Sequence, residues 1–251
     1  AIALKPDYAL AHSNLCRILY YFDYKVAALE SIERANAIDP GSKIYGLILN
    51  FIKSRKSYLG SEVEDDDTCE IASVNELASN PLILHRDTEE ELINKLYEIN
   101  TNLKKKAKGD ARFGTRSSGF ELFEDSNPII QTLAEDLTKI MMDAVKSEIY
   151  IYDSFFNILS AGGGTTPHNH INESDNDIGF DLGKRKYSLQ YYISIGDQNC
   201  SEPGLLKLYE PPEDILPYEG MITIIPASRP HSAVYNGKTD RVMIGVNFYS
   251  L

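Results

Sequence analysis

The periodicity of this chain changes once, near Glu148. Upstream, apolar residues recur at helical spacing over residues 8–22, 25–37, 42–59, 88–105 and 127–146. Downstream the runs are short and rich in β-branched and aromatic residues: 149–159, 187–195, 205–209, 221–225, 233–235 and 242–249. Turn clusters bound them, among them Gly162-Gly163-Gly164, Gly196-Asp197-Gln198-Asn199 and Asn236-Gly237. The expected fold class is therefore α+β, with N-terminal helices followed by an antiparallel double-sheet barrel of the jelly-roll or cupin-like type. Helices 88–105 and 127–146 are expected to support that barrel. Residues 60–80, with Glu62, Glu64, Asp65, Asp66 and Asp67, are acidic and aperiodic and read as a linker. The expected division is residues 1–59, then the linker, then a domain over 81–251 with its barrel core at 148–251.

The N-terminal helices carry an internal repeat. Ala1-Ile2-Ala3-Leu4-Lys5-Pro6-Asp7 recurs as Ala35-Asn36-Ala37-Ile38-Asp39-Pro40-Gly41, a spacing of 34 residues. Small residues Cys16, Ala28 and Ala35 fall where two helices of a hairpin must approach closely. With Asn14-Leu15 and Pro40 the segment resembles a tetratricopeptide repeat, although Asp23 stands where the interhelix turn often has Gly. An isolated amphipathic hairpin would carry the same apolar stripe. The resemblance implies a stack that presents a surface to a protein or peptide partner, and further repeats upstream.

Charge narrows the partners. In 251 residues, 25 Lys+Arg against 37 Asp+Glu leave a formal charge of −12, which opposes broad contact with nucleic-acid phosphates or an anionic lipid surface. A run of 18 uncharged apolar residues is absent, so no membrane span is expected. Cys16, Cys69 and Cys200 are odd in number and far apart, which fits neither a disulfide framework nor a zinc knuckle and suggests a reducing cytoplasm.

Three of the five histidines lie in the β region: His168 and His170, alternating in His168-Asn169-His170, and His231 about 60 residues later. Strand geometry sends alternate side chains to one face, and a pair of adjacent ligands plus one distant in sequence is the usual construction of a metal site inside a barrel. The spacing by itself is a weak signal.

The surroundings of His231 strengthen it. Pro217-Tyr218-Glu219-Gly220-Met221-Ile222-Thr223-Ile224-Ile225-Pro226 leads into Pro230-His231-Ser232-Ala233-Val234, and Arg241 follows His231 by ten residues. Upstream stand Lys186-Tyr187-Ser188-Leu189-Gln190-Tyr191-Tyr192-Ile193 and Pro203-Gly204-Leu205-Leu206-Lys207-Leu208-Tyr209. In this order, over residues 148–251, the segments resemble the iron(II)- and 2-oxoglutarate-dependent oxygenases, in particular the prolyl-4-hydroxylase-like branch. The resemblance implies iron(II) held by His168, His231 and a third ligand, with O₂ and 2-oxoglutarate as cosubstrates. It also implies that Arg241 pairs with the distal carboxylate of 2-oxoglutarate and that Tyr192 hydrogen-bonds it, while Tyr191 points the opposite way. Without the resemblance, Arg241 reads as a strand arginine in a solvated ion pair and Tyr192 as a barrel-wall aromatic.

The departure is at the third ligand. Where the family usually has Asp or Glu, this chain has His170; either His170 completes a three-histidine site, or Glu173, Asp175 or Asp177 of the following acidic loop reaches in. That loop otherwise reads as solvated. Three functions stay open on these residues. The first is a 2-oxoglutarate-dependent hydroxylase of a polypeptide or amino-acid-like substrate. The second is a non-catalytic scaffold that binds a metal or anion, and the third a three-histidine cupin-type dioxygenase that does not use 2-oxoglutarate.

Overall fold

A computed structural model of the protein describes residues 2–56, 80–106, 121–176 and 179–251. Most of the acidic stretch 60–80, the Gly/Ser/Arg-containing loop 109–119, Cys69 and Asp177 lie outside the described residues. Three helices open the chain: α1 (Ala9–Tyr21), α2 (Lys25–Ile38) and α3 (Lys43–Lys56). After strand β1 (Leu82–His85) come α4 (Glu90–Lys106) and α5 (Pro128–Val145). The barrel strands are β2 (Ile149–Leu159), β3 (Gly163–His168), β4 (Lys186–Ser194), β5 (Leu206–Leu208), β6 (Glu213–Ile215), β7 (Met221–Pro226), β8 (His231–Tyr235) and β9 (Arg241–Ser250). Among the described residues no helix is long and apolar enough to cross a membrane.

Two antiparallel sheets face each other, ordered β1-β7-β4-β9-β2 and β3-β8-β5-β6. Period-2 alternation on β4 and β9 assigns their side chains. Tyr187, Leu189, Tyr191 and Ile193, with Val242, Ile244, Val246 and Phe248, point outward. There they join Leu92, Leu96, Ile130, Leu133, Leu137 and Met141 of α4 and α5 in the largest core. Tyr192 and Met243, paired across the ladder, point inward to Leu206, Leu208, Met221 and Ile225. The amphipathic helices thus cover the outer face of the larger sheet, as the 3.6-residue pattern anticipates. Helix α5 begins cleanly because the Asn127 side chain accepts the Ile129 N–H at 3.0 Å and Pro128 occupies the first turn.

The N-terminal helices pack on one another through one apolar cluster, in which Cys16, Ala28 and Ala35 are fully buried. Asp23 adopts φ 63 in the α1–α2 turn, so it occupies the left-handed conformation that Gly would otherwise supply and that Asp tolerates better than most residues. Leu47, Ile48, Phe51 and Ile52 of α3 share one cluster with Phe180, Leu182 and Tyr249, and Tyr150 and Tyr152 border it. Lys43 adds hydrogen bonds to Glu121 and to the Tyr152 carbonyl, the latter at 2.7 Å. The N-terminal helices therefore lean on the β2–β9 edge and on the segment before β4, because α4 and α5 are already committed to the opposite face of the sheet.

Three strands escape the sequence reading. β1 and β6 are only 4 and 3 residues long, and β3 begins inside the Gly162-Gly163-Gly164 cluster, whose composition signals a turn. Gly162, at φ +81, supplies the turn, and Gly163 and Gly164 already pair with Tyr235 and Val234.

Phe51 lies 6.0 Å from the Tyr20 ring and 5.6 Å from that of Phe180, centroid to centroid, and is almost fully buried. Truncation of a buried Phe costs about 3–5 kcal/mol, so Phe51→Ala should lower one shared thermal transition by about 6–20 °C. A separate early transition confined to the helices, with the barrel transition unmoved, would show that they fold apart from the barrel.

Candidate metal centre

Antiparallel pairing brings the three histidines together. His168 at the end of β3 is the register partner of His231 at the start of β8, and Leu208 of β5 flanks His231 on the other side. His170 lies two residues beyond β3, where its N–H donates to the Ala227 carbonyl at 2.8 Å. One ligand atom from each of His168, His170 and His231 lies within 4.8 Å of the others, the only such cluster of His, Cys, Asp or Glu among the described residues. The Nε2 atoms of His170 and His231 are 3.2 Å apart.

The ring orientations are set from behind. His168 Nδ1 is 2.8 Å from the Thr166 carbonyl, and His231 Nδ1 is 3.0 Å from the Arg229 carbonyl. A carbonyl can only accept, so each Nδ1 carries the proton and each Nε2 keeps its lone pair for a ligand. His231 is buried; burial pushes its pKa down to about 4, with the nearby His168 adding to the effect and the Arg229 carbonyl opposing it. It therefore stands as a neutral donor at physiological pH. Three imidazole nitrogens on one side of an ion suit iron, zinc or copper by donor type.

The acidic loop is placed differently from its sequence reading. Asp175 is buried, not solvated, and is no ligand: its carboxylate takes a 2.8 Å ion pair from Lys186 and a hydrogen bond from the Tyr249 hydroxyl. Glu173 is exposed, and Asp177 is outside the described residues. His170 is thus the third side chain at this cluster.

Arg241 opens β9 and is almost fully buried, which excludes a solvated surface role. Its Nη1 donates to the Gly204 carbonyl, its guanidinium lies 4.8 Å from the Tyr192 ring centroid, and its Nε has no hydrogen-bond partner. Burial lowers its pKa, opposed by Tyr192 and Tyr235, and no carboxylate among the described residues is paired with it. A buried cation with an orphaned donor and no anionic partner is costly unless an anion completes it. Tyr192 faces the same interior, its ring against the Arg241 guanidinium, whereas the Tyr191 hydroxyl points outward and donates to the Asp87 carbonyl at 2.9 Å. Arg241 and Tyr235 both lie against Gly204. Tyr235 ends β8, four residues from His231, so the arginine lies at the far end of the same strand, about 13 Å along it.

The sequence reading passes over a polar interior ladder. Asn247 donates to Asp153 at 2.7 Å, Thr223 to Gln190 at 2.6 Å, and Gln190 to Ser188 at 3.0 Å. Its signal is present in β4, where Lys186, Ser188 and Gln190 alternate with Tyr187, Leu189 and Tyr191. Alternation alone reads as polar toward water, whereas here the polar face lines the barrel.

No protein-family model matches the chain, and no curated protein matches it. Solved structures do. A prolyl hydroxylase from Trichoplax adhaerens, in complex with a hypoxia inducible factor oxygen degradation domain peptide fragment, is 14% identical. It matches 75% of this chain and 94% of its own with a TM-score of 0.50. The non-heme alpha ketoglutarate dependent carbocyclase SnoK from nogalamycin biosynthesis is 11% identical over 75% of this chain and 85% of its own, with a TM-score of 0.52. The corresponding epimerase SnoN is 10% identical over 72% and 83%, with a TM-score of 0.50. At these identities the likeness is one of fold: the facing antiparallel sheets of this chain are built like those of the 2-oxoglutarate-dependent oxygenases.

Gly204 has φ +79, and a Cβ there would run into the Arg241 guanidinium. Gly204→Ala should therefore destabilise the protein by about 1–3 kcal/mol through backbone strain and displacement of the arginine, measured by urea denaturation. Parent-like stability would mean that Arg241 leaves its place at no cost.

Proposed function

We propose that the protein is an iron(II)- and 2-oxoglutarate-dependent dioxygenase that hydroxylates a polypeptide or amino-acid-like substrate. One observation carries the reading: three convergent imidazoles and a buried arginine without an anionic partner share one barrel interior. Iron(II) bound with 2-oxoglutarate and O₂ supplies the oxidation, and 2-oxoglutarate leaves as succinate and CO₂.

The protein's own residues do the rest. His168, His170 and His231 hold the metal through Nε2 and leave its remaining positions to exogenous ligands. Three neutral imidazoles leave the ion one unit more positive than two imidazoles and a carboxylate do, which favours anionic ligands. Arg241 takes the distal carboxylate of 2-oxoglutarate, and Tyr192 positions it by hydrogen bonding. The apolar inward side chains Leu206, Leu208, Met221 and Ile225 keep water from that cosubstrate. A polypeptide substrate is supported by the exposed apolar side chains Ile18 and Tyr21 of α1, Phe22 just after it and Val26 of α2, together with the tetratricopeptide resemblance. A cupin-type dioxygenase independent of 2-oxoglutarate would leave Arg241 without a counter-ion.

Anaerobic titration of the iron-loaded protein with 2-oxoglutarate should develop a visible charge-transfer band; its absence would favour a non-catalytic scaffold or the cupin-type alternative. His231→Ala should abolish stoichiometric iron binding, and retained binding would remove the site. Losing a buried charged partner costs about 2–5 kcal/mol, so Arg241→Ala should weaken 2-oxoglutarate binding by about 30-fold or more. An affinity within about twofold of the parent would take Arg241 out of the cosubstrate site.

A further inference from the structure

Of the three histidines, His170 is the least supported by its own secondary structure. His168 and His231 belong to paired strands, whereas His170 lies outside any strand and is held by its backbone bond to Ala227. Ala227 in turn donates to the Lys186 carbonyl at 2.8 Å. The chain just beyond His170 is fastened to that same lysine by a second route. Asn172 N–H donates to Asp175 Oδ2 at 2.7 Å, and Lys186 Nζ donates to the same oxygen at 2.8 Å. Tyr249 donates to Oδ1. Both ends of His170's immediate neighbourhood thus converge on Lys186.

The ion pair at its centre is buried, with the side chains of Lys186 and Asp175 1% and 0% exposed. The Lys186 ammonium also lies 4.8 Å and 5.2 Å from the ring centroids of Tyr152 and Tyr249. A buried ion pair contributes little net stability over apolar residues of equal volume, because desolvation offsets the attraction, but separating its two charges in place is strongly unfavourable. The N-terminal helices close the clamp from outside. Phe180 packs 4.7 Å from the Tyr20 ring and 5.6 Å from that of Phe51, and the Arg185 guanidinium lies 5.2 Å from the Phe51 ring.

We infer that Asp175 is a positioning residue for the metal site, holding through Lys186 and Tyr249 the segment that presents His170, with the N-terminal helices as its outer support. This rests on the three-histidine metal reading. Residues that orient a ligand from behind typically change metal affinity by about 10–100-fold when removed. The N-terminal helices then do more than recruit a partner: they brace the third ligand.

Cobalt(II) titration of the full chain, followed by visible absorption with circular dichroism as the folding control, tests it. Asp175→Leu combined with Lys186→Met removes both charges at similar volume. The double variant should fold, bind cobalt about 10–100-fold more weakly, and give a cobalt spectrum like that of His170→Ala. Tyr249→Phe removes one hydrogen bond and should weaken binding by about 2–10-fold, with a shift of the same spectrum in the same direction. If the double variant does not fold, Tyr249→Phe decides alone. Parent-like affinity and spectrum in the folded clamp variants overturn the inference while the metal reading stands, provided His231→Ala loses cobalt. If the parent itself binds no cobalt, the metal reading falls and the inference with it.

Discussion

The antiparallel pairing of β3 with β8 is the contact on which the site depends. It sets His168 opposite His231 and so joins two residues 63 positions apart in the chain. The pairing is short and irregular, with a register shift between Thr165 and His168, and it cannot stand alone. What holds it in place is the larger sheet across the barrel, whose outer face is sealed by α4 and α5 in the main core. Burial of that face fixes the register of β4 and β9, since a one-residue slip would turn Leu189, Val246 and Phe248 toward the polar interior.

Inside the barrel the chain keeps charges where charges are expensive. Arg241 and Lys186 are both almost fully buried, yet their situations differ. Lys186 has a carboxylate, Asp175, at 2.8 Å and two aromatic rings beside its ammonium. Arg241 has a carbonyl, a tyrosine ring and an idle Nε. A satisfied pair fixes the shape of a segment. An unpaired buried cation is costly unless an anion completes it, and in this the two charges differ.

The N-terminal helices and the barrel share side chains. Tyr249 belongs to the core beneath α3 and, through Asp175, touches the segment that follows His170, and Phe180 packs in that same core. The exposed apolar residues of α1 and α2 belong to the same short stack, so a partner bound there would press on helices that also brace the segment after His170.

Much of this was legible in the chain before any coordinates. Helical and strand periods placed five helices and six strands close to where they form, because period 3.6 and period 2 follow directly from which face is buried. The histidine pair and the distal histidine were visible as spacing, Arg241 stood out only through the family resemblance, and Tyr191 and Tyr192 were assigned opposite faces from strand geometry. Tertiary structure decided what spacing cannot carry. Short β1 and β6 have too few residues to show a period, and β3 hides within glycines that composition assigns to a turn. Asp175 looks like one more solvated acid until the fold brings Lys186 and Tyr249 against it. Polar residues alternating along β4 face inward only because helices occupy the other side. A side chain's type and local period are written in the sequence; its electrostatic partner is chosen by whichever distant element packs against it, and that choice belongs to the folded chain.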